Sequence, residues 1–260
     1  MKIFVRYKNY FKENGLIKTI KKIIFKPLRF LNKKIAYLKF KESRKKIFSH
    51  ETLKDKFSYI YSSRYWPSKE SVSGPGSEME NTRNIRKEII KLIKEYEIKN
   101  FLDIPCGDFN WMQNIVEKHI SYTGGDIVED LINSNKKKFF QQNLKFIVIN
   151  LLDDDLPSAD LMLCRDCLIH LSNNNIKKFF KNFKRSNIKY LLVTSYESYN
   201  KTKNSNNDEI DDGDFRPTFL MEKPFNLPEP ILKILDKDIE HDNNSKLKCY
   251  LYLYSKNQLN

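Results

Sequence analysis

Residues 101–112 read FLDIPCGDFNWM, and the prediction of the fold starts from this stretch. An apolar run ends at Asp103, and the chain then turns through Pro105-Cys106-Gly107 before apolar residues resume. Glycine is rare in this chain, with seven in 260 residues, so its place directly after a strand-like run calls for an explanation. It either makes an ordinary turn or lets the backbone approach a ligand closely.

Strand-like and helical segments alternate after this stretch. A helix is predicted before it, at 82–97, and further helices at 129–141 and 173–185, with a helical or connecting segment at 110–119. Strands are predicted at 100–105, 121–127, 145–150, 160–166, 189–196 and, late in the chain, 247–254. Alternating strands and helices form parallel βαβ units. The predicted fold is α/β: a doubly wound, mostly parallel sheet with a late antiparallel edge strand.

Most of the candidate ligand-binding residues lie at the ends of the predicted strands. Open α/β sheets bind ligands beyond the carboxyl ends of their strands. Asp126, at the end of the second strand, follows Gly107 by 19 residues. That interval suits an acid that accepts hydrogen bonds from the ribose of a nucleotide-like ligand.

Basic charge is concentrated at the N-terminus. The net charge of the chain is +14. Residues 1–50 contain 16 Lys and Arg but only 2 Asp and Glu, whereas the rest of the chain has 31 basic and 31 acidic residues. We therefore divide the chain into a basic arm, 1–54, and a domain, 55–260. The neutral domain argues against nucleic acid as the partner.

The arm has the pattern of an amphipathic helix. Residues 16–40 place apolar side chains at helical spacing among lysines and arginines, with Pro27 expected to kink the helix. This composition is typical of a helix in the membrane interface. We expect residues 1–47 to contact an anionic membrane; a helix packed on the domain or bound to another protein fits the same pattern.

The cysteines and the hydropathy pattern indicate a cytoplasmic protein. Cys106, Cys164, Cys167 and Cys249 are too few and too scattered for a disulfide framework, and the C-x-x-C of Cys164 and Cys167 lacks a second ligand pair for zinc. No metal site is predicted. We find no apolar run of 18 residues and no secretory signal, so the predicted location is the cytoplasm, with peripheral contact at the inner face of the membrane.

Four stretches occur in a characteristic order: FLDIPCGDFNWM, YTGGDIVE, LPSADLMLCRDCLIHLS and KYLLVTSYE. Together they resemble the class I, Rossmann-like S-adenosylmethionine-dependent methyltransferases. They are most similar to a bacterial group, often found beside surface-polysaccharide genes, with LD-x-P-C-G-D-x-x-W and a later C-R-D-x-x-x-H-L. The resemblance covers about residues 55–255 and implies S-adenosylmethionine as cofactor. The chain has Pro105 and Phe109 where the general D-x-G-x-G-x-G loop has glycines.

The resemblance implies a set of cofactor contacts. Gly107 lets the backbone approach the methionine moiety, and Asp103 orients that loop or receives the amino group through water. Asp126 holds the ribose, and Ile127 packs on the adenine. The other implied contacts are Pro105, Cys106, Asn150, Leu151, Cys164 and Arg165. Structural alternatives exist for several of them: helix starts for the two acids, a plain turn for Gly107 and an ion pair for Arg165.

Two residues after the fourth strand are candidates for catalysis. Asp166 and His170 are spaced i and i+4, so they share a face if the segment coils. A hydroxyl acceptor must lose a proton, and His170 has a suitable reference pKa for a base, with Asp166 orienting it or binding the acceptor. The alternative for His170 is a helix-cap or core histidine.

Acceptor recognition is assigned to segments outside the sheet. Trp66 and Ser73 belong to a Ser-, Pro- and Gly-rich segment at 55–80 that reads as a linker and loop, and Trp66 either covers a pocket or simply packs. Arg216 either pairs with a phosphate or carboxylate of the acceptor or forms a structural tie.

The expected function is methyl transfer to oxygen of a sugar, a sugar phosphate or a related surface-glycan precursor. The alternatives are N- or O-methylation of another small molecule, and a non-catalytic, membrane-attached scaffold that keeps the fold. A short-chain reductase is disfavoured because the chain lacks a glycine-rich phosphate turn and a Tyr-x-x-x-Lys pair.

Overall fold

The computed structural model describes residues 15, 18, 29–32, 34–198, 207–241 and 245–259. The chain divides into two compact units, Met1–Lys46 and Ile47–Asn260. Residues 47–54, which the sequence assigned to the arm, therefore lie in the second unit.

The first unit is helical where it is described. Helix α1 spans residues 34–49, and large apolar side chains are exposed along it and just before it: Phe30, Leu31, Ile35, Tyr37, Leu38 and Phe40. Much of the predicted helix 16–40, including Pro27, lies outside the described residues. Within the described part of the chain, no helix is both long and apolar enough to cross a membrane.

The second unit contains a seven-stranded sheet flanked by helices. Its elements are α2 (Leu53–Ser62), α3 (Arg83–Glu95), β1 (Asn100–Asp103), β2 (Ser121–Asp126), α4 (Glu129–Lys138), β3 (Leu144–Val148), β4 (Ala159–Cys164), α5 (Asn173–Arg185), β5 (Ile188–Ser198), β6 (Leu232–His241), β7 (Ser245–Ser255) and α6 (Lys256–Leu259).

The strand order is β3-β2-β1-β4-β5-β7-β6. Strands β1 to β5 pair in parallel, and β7 runs antiparallel between β5 and β6. This confirms the predicted doubly wound, mostly parallel sheet with its late antiparallel strand. The order reverses beside β1, so a crevice for a ligand is expected at the carboxyl ends of β1 and β4.

Three elements were missing from the sequence prediction: α2, β6 and the short helix α6. Strand β6 forms the outer edge of the sheet, and a register shift between Leu235 and Lys237 breaks the alternation that would have revealed it. Helix α2 occupies residues that had been read as part of a linker; the side chain of Thr52 caps it by accepting a hydrogen bond from the Asp55 amide. The segment 110–119 is a connection with one short 3₁₀ turn, Met112–Asn114.

Helix α5 shows how the sequence creates these packed layers. Ser172 caps its N-terminus by accepting from the Asn175 amide. Its apolar residues recur at helical spacing and are buried in the core cluster on one side of the sheet: Ile176, Phe179, Phe180 and Phe183. A second core cluster, with Ile85, Ile89 and Leu92 of α3, lies on the other side.

Replacing Phe183 with alanine should destabilise the protein by about 3–5 kcal/mol, because a fully buried ring leaves a cavity. Urea unfolding measures this loss. The neighbouring Lys184 is exposed, so Lys184→Ala is the matched control and should change stability by less than about 0.5 kcal/mol. Equal effects of the two substitutions would contradict this packing.

Candidate active site

The loop after β1 is built so that its backbone lies close to neighbouring segments. The Ile104–Pro105 peptide is cis, and Gly107 has a φ of 55°, in the left-handed region that favours glycine. A Cβ on Gly107 would lie 2.3 Å from the Ser73 hydroxyl oxygen. Any side chain at 107 would therefore displace Ser73, which explains why this position needs glycine.

Asp103 ends β1 as a buried carboxyl group. It is 3% exposed, and the Tyr122 hydroxyl donates a hydrogen bond of 2.8 Å to its Oδ2. Burial raises the pKa of Asp103 to about 7, against the opposing effect of that hydrogen bond. Near neutral pH this carboxyl group therefore exchanges between its two protonation states.

Asp126 ends β2 and connects two loops. Its Oδ2 accepts from the Gly107 amide at 3.3 Å, and its Oδ1 accepts from the Val128 amide at 3.0 Å. Burial raises the pKa of Asp126 to about 6, although these amide donors stabilise its charge. The Asp126 carboxyl group is therefore mostly ionised at neutral pH.

Residues 70–78, which we call the strap, cross the loop after β1. Asp108 accepts from the Ser71 hydroxyl at 3.0 Å and from the Val72 amide at 2.9 Å. In return, the Asp108 amide donates to the Ser73 hydroxyl oxygen at 3.1 Å. The strap is thus fixed to the loop by Asp108, a role that the sequence analysis did not assign to this residue.

Arg165, just past β4, is a buried cation that contacts several segments of the chain. Its Nε and one terminal nitrogen donate to the two oxygens of Asp236 at 2.8 and 3.0 Å. The same terminal nitrogen donates to the Gly76 carbonyl at 2.9 Å, and the guanidinium carbon lies 5.3 Å from the centre of a Trp111 ring. The structural alternative for Arg165, an ion pair, is therefore what the structure shows.

Asp166 and His170 lie on the turn that follows β4. Asp166 has a φ of 50°, unusual for a residue with a side chain. Its Oδ2 accepts from Lys237 at 2.7 Å. Burial raises the pKa of Asp166, but the positive charges of Arg165 and Lys237 outweigh it and hold that pKa well below its usual range.

The environment of His170 defines its tautomer. Its Nδ1 lies 2.7 Å from the Asp214 carbonyl oxygen, and because a carbonyl only accepts, Nδ1 must carry the proton. Burial lowers the pKa of His170 below its usual value. The neutral ring, with its acceptor at Nε2, stacks against Trp66 with ring centres 4.8 Å apart.

A single cavity collects most of the predicted site residues. The predicted residues that line it are Trp66, Ser73, Asp103, Pro105, Gly107, Asp126, Ile127, Leu151, Arg165, Asp166 and His170. Its described lining therefore contains three carboxyl groups and one guanidinium. Helix α2 and the strap close it from above the strand ends, through residues that the sequence did not indicate: Leu53, Phe57, Ile60, Tyr61, Val72 and Ser77.

Among the described residues, four of those proposed from the sequence lie outside this cavity lining. Cys164 is buried in β4, and Cys106 belongs to a core cluster. The Asn150 side chain bonds to its own turn, accepting from the Leu152 amide and donating to Asp153. Arg216 forms the structural tie.

The hydrogen bonds of Arg216 explain its position. Its nitrogens donate to the Asp208 and Leu171 carbonyls, to the Thr218 hydroxyl and to the Asn173 amide oxygen. These bonds agree with the structural tie that was the alternative for Arg216, and Arg216 does not line the cavity.

Comparison with known proteins identifies the same region. Residues 101–187 match the family model of a methyltransferase domain. No curated protein matches the chain. The match begins at the first residue of FLDIPCGDFNWM, ends after α5, and agrees with the prediction of a methyltransferase domain.

Solved structures show distant similarity. The N-terminal domain of EvdMO1, determined in the presence of SAH and D-fucose, has a TM-score of 0.49 at 8% identity, over 66% of this chain and 83% of that one. An S-adenosylmethionine-dependent methyltransferase from Clostridium acetobutylicum has 0.46 at 15%, over 67% and 91%. TehB from Haemophilus influenzae has 0.47 at 15%, over 64% and 60%. At this level of similarity none of them carries an argument about this chain's activity.

The raised pKa of Asp103 predicts a specific pH dependence of stability. Its folded pKa of about 7 exceeds the value of 3.8 expected when unfolded, so the folded state binds the proton more tightly, and stability falls as pH rises between these values. Relative to Asp103→Asn, the wild type should lose roughly 2–3 kcal/mol between pH 5 and pH 8. Urea unfolding across this range measures the difference.

Asp130 provides the control for this experiment. It is exposed in the first turn of α4, and Asp130→Asn should follow the wild-type pH profile. An Asp103→Asn profile parallel to the wild type would show that Asp103 is ionised throughout and would contradict the burial argument.

Proposed function

We propose that this protein is an S-adenosylmethionine-dependent methyltransferase that methylates a hydroxyl oxygen of a sugar, a sugar phosphate or a related surface-glycan precursor. The observation that carries the proposal is the convergence of Asp103, Gly107 and Asp126 with Asp166 and His170 on one cavity at the carboxyl ends of β1, β2 and β4. The methyltransferase domain match over the same residues supports it.

The residues present fit the proposed cofactor. S-adenosylmethionine supplies a methyl group bound to a positively charged sulfur. Of the three carboxyl groups that line the cavity, Asp166 is paired with Lys237, whereas Asp126 and the partly ionised Asp103 keep negative charge; Arg165, the guanidinium in the described lining, is paired with Asp236. A site with surplus negative charge suits a cationic ligand. Asp126 would accept the ribose hydroxyls, and Ile127 and Val128 would contact the adenine.

His170 would act as the base. An acceptor hydroxyl must give up its proton as the new bond to oxygen forms, and His170 Nε2 would take it. Because Nδ1 donates to the Asp214 carbonyl, the ring is held in the tautomer that leaves Nε2 able to accept. The lowered pKa keeps the ring neutral at physiological pH, so the base is ready without prior deprotonation.

The acceptor would occupy the side of the cavity formed by Trp66, Ser73 and helix α2. Trp66 offers an aromatic surface beside His170, and Phe57 and Tyr61 extend that wall. Aromatic faces suit the apolar faces of sugar rings. The glycan assignment and a role in polysaccharide biosynthesis come from the sequence resemblance alone; methylation of nitrogen or oxygen in another small molecule is the alternative within the enzyme class.

The scaffold alternative makes a different prediction about cofactor binding. A protein that keeps the fold without the chemistry has no need to bind S-adenosylhomocysteine. Titration calorimetry of that compound should show micromolar binding to the wild type. We expect Asp126→Asn to weaken binding by roughly 10- to 100-fold, because a carboxylate that receives ribose hydroxyls is lost.

The exposed Asp130, four residues further along, again provides the control. Asp130→Asn should bind S-adenosylhomocysteine as the wild type does. Wild-type protein that binds none would overturn the proposal and favour the scaffold. Tight binding that is unchanged in Asp126→Asn would overturn the placement of the ribose.

We further propose that the basic arm contacts the anionic inner surface of the cytoplasmic membrane, where a lipid-linked or membrane-proximal glycan precursor would be accessible. The exposed apolar side chains on and before α1 support this, since they have the composition of an interfacial helix together with the lysines around them. The excess of 16 basic over 2 acidic residues in 1–50 fits an anionic surface.

Vesicle sedimentation of the full chain tests this contact. The double variant Leu31→Ser/Leu38→Ser should bind vesicles containing phosphatidylglycerol roughly tenfold or more weakly, because two apolar side chains no longer enter the interface. Leu232 and Leu235 are exposed on β6, so Leu232→Ser/Leu235→Ser is the control and should bind normally. Equal binding by both variants, or equal binding to neutral phosphatidylcholine vesicles, would contradict the proposal.

A further inference from the structure

Strand β6 brings a lysine to the edge of the candidate active site. Lys237 Nζ lies 2.7 Å from Asp166 Oδ2, and both side chains are largely buried, with 24% and 22% of their surfaces exposed. The neighbouring Asp236 holds Arg165. The sheet edge therefore supplies two adjacent residues that neutralise the two charged residues after β4.

The other oxygen of Asp166 has no such partner. Asp166 Oδ1 is buried and makes no hydrogen bond within the described part of the chain. A buried carboxylate oxygen without a donor is costly and calls for an explanation, such as an ordered water or a functional role. Since Asp166 lines the cavity with His170, the missing donor is best supplied there by an acceptor hydroxyl.

The strap shields the Lys237–Asp166 pair from above. A Cβ built on Gly76 would lie 2.9 Å from both Asp166 Oδ2 and Lys237 Nζ, so the backbone of the strap presses directly on the pair. Shielding of this kind strengthens the attraction between the charges and lengthens the reach of their fields.

Asp166, Asp236 and Cys249 could be read as a metal site, because one ligand atom of each lies within 4.8 Å of the others. Both carboxylates are already bonded to cationic side chains, at 2.7 and 2.8 Å. The positive charge that this cluster requires is therefore supplied by Lys237 and Arg165.

We propose that Lys237 is a positioning residue for Asp166, beside His170: its ammonium fixes one oxygen of Asp166 and leaves the other oxygen for a hydroxyl of the acceptor. The acceptor would then present two hydroxyl groups, one to His170 Nε2 and one to Asp166 Oδ1, as a vicinal diol does. This part rests on the proposed methyltransferase function.

The charges around His170 support the assignment. Asp166 and Asp214 favour its protonated form, while Lys237 and burial oppose it. Behind them, Arg165 and Asp236 form their own ion pair, and Cys249 of β7 contributes a buried thiol whose pKa burial raises above its usual value. Among the described side chains, Lys237 is therefore the cation that, together with burial, lowers the pKa of His170.

Proton NMR of the histidine ring signals tests the proposal without a known acceptor. The chain has four histidines, and His170→Asn identifies the signal of His170. Lys237→Met should raise the pKa of His170, because a nearby positive charge is lost. Lys237→Arg keeps the charge and should leave that pKa near the wild-type value. Asp166→Asn should lower it.

Lys233 is the matched control on the same strand. It pairs with Glu197 and Glu229 instead, so Lys233→Met should leave the His170 titration unchanged. A shift in Lys237→Met no larger than that in Lys233→Met, or a downward shift, would overturn the proposal. If Lys237→Met does not fold, Asp166→Asn decides, since an unchanged His170 titration in that variant would also overturn it.

Calorimetry with S-adenosylhomocysteine on the same samples separates this inference from the proposed function. Cofactor binding with no shift of the His170 pKa in Lys237→Met removes the role of Lys237 and leaves the methyltransferase proposal intact. The predicted shifts in a protein that does not bind the cofactor leave the electrostatic pairing intact and remove the proposed function.

The diol is tested separately, by saturation-transfer NMR in the presence of S-adenosylhomocysteine. Methyl glycosides with a vicinal cis-diol should give a signal with the wild type that is lost in Asp166→Asn, whereas the corresponding monodeoxy glycosides should give little. Equal signals from the diol and deoxy compounds would overturn the acceptor part.

Discussion

The paired guanidinium of Arg165 is the interaction on which the site depends. It joins the end of β4 to the edge strand through Asp236, to the strap through the Gly76 carbonyl and to the loop after β1 through the face of Trp111. Removing one partner of such a buried pair costs several kcal/mol, because the other charge is left without compensation. These three segments are far apart in the chain, and this one side chain holds them around a common cavity.

That arrangement has an electrostatic consequence for the proposed chemistry. With Arg165 paired to Asp236 and Asp166 paired to Lys237, the carboxylate of Asp126 and the partly ionised Asp103 give the described lining a negative balance. A positively charged methyl donor would be attracted, whereas the uncharged thioether that is left after transfer would lose this attraction. The same cavity would thereby favour binding of the donor over retention of the product.

Much of this organisation could be predicted from the sequence, because the ligand-binding residues of a parallel sheet lie at the carboxyl ends of its strands. FLDIPCGDFNWM and the acid at Asp126 identified the crevice, and the helix at 173–185 was predicted to the residue. Local patterns could not show which side chains turn inward. Asn150 and Arg216 have the right chemistry for ligands, yet Asn150 bonds within its own turn and Arg216 ties its loop to the start of α5. Strand β6 escaped detection because a bulge interrupts its alternation, and with it Asp236 and Lys237, which complete the site.

A crystal structure of the protein with bound S-adenosylhomocysteine is the most direct test of the proposed cofactor site. We predict the ribose hydroxyls on the Asp126 carboxylate, the adenine against Ile127 and Val128, and the sulfur on the side of the cavity that contains Asp166 and His170. A ligand bound elsewhere, or one whose sulfur lies away from His170, would contradict the proposed assignment of cofactor and base.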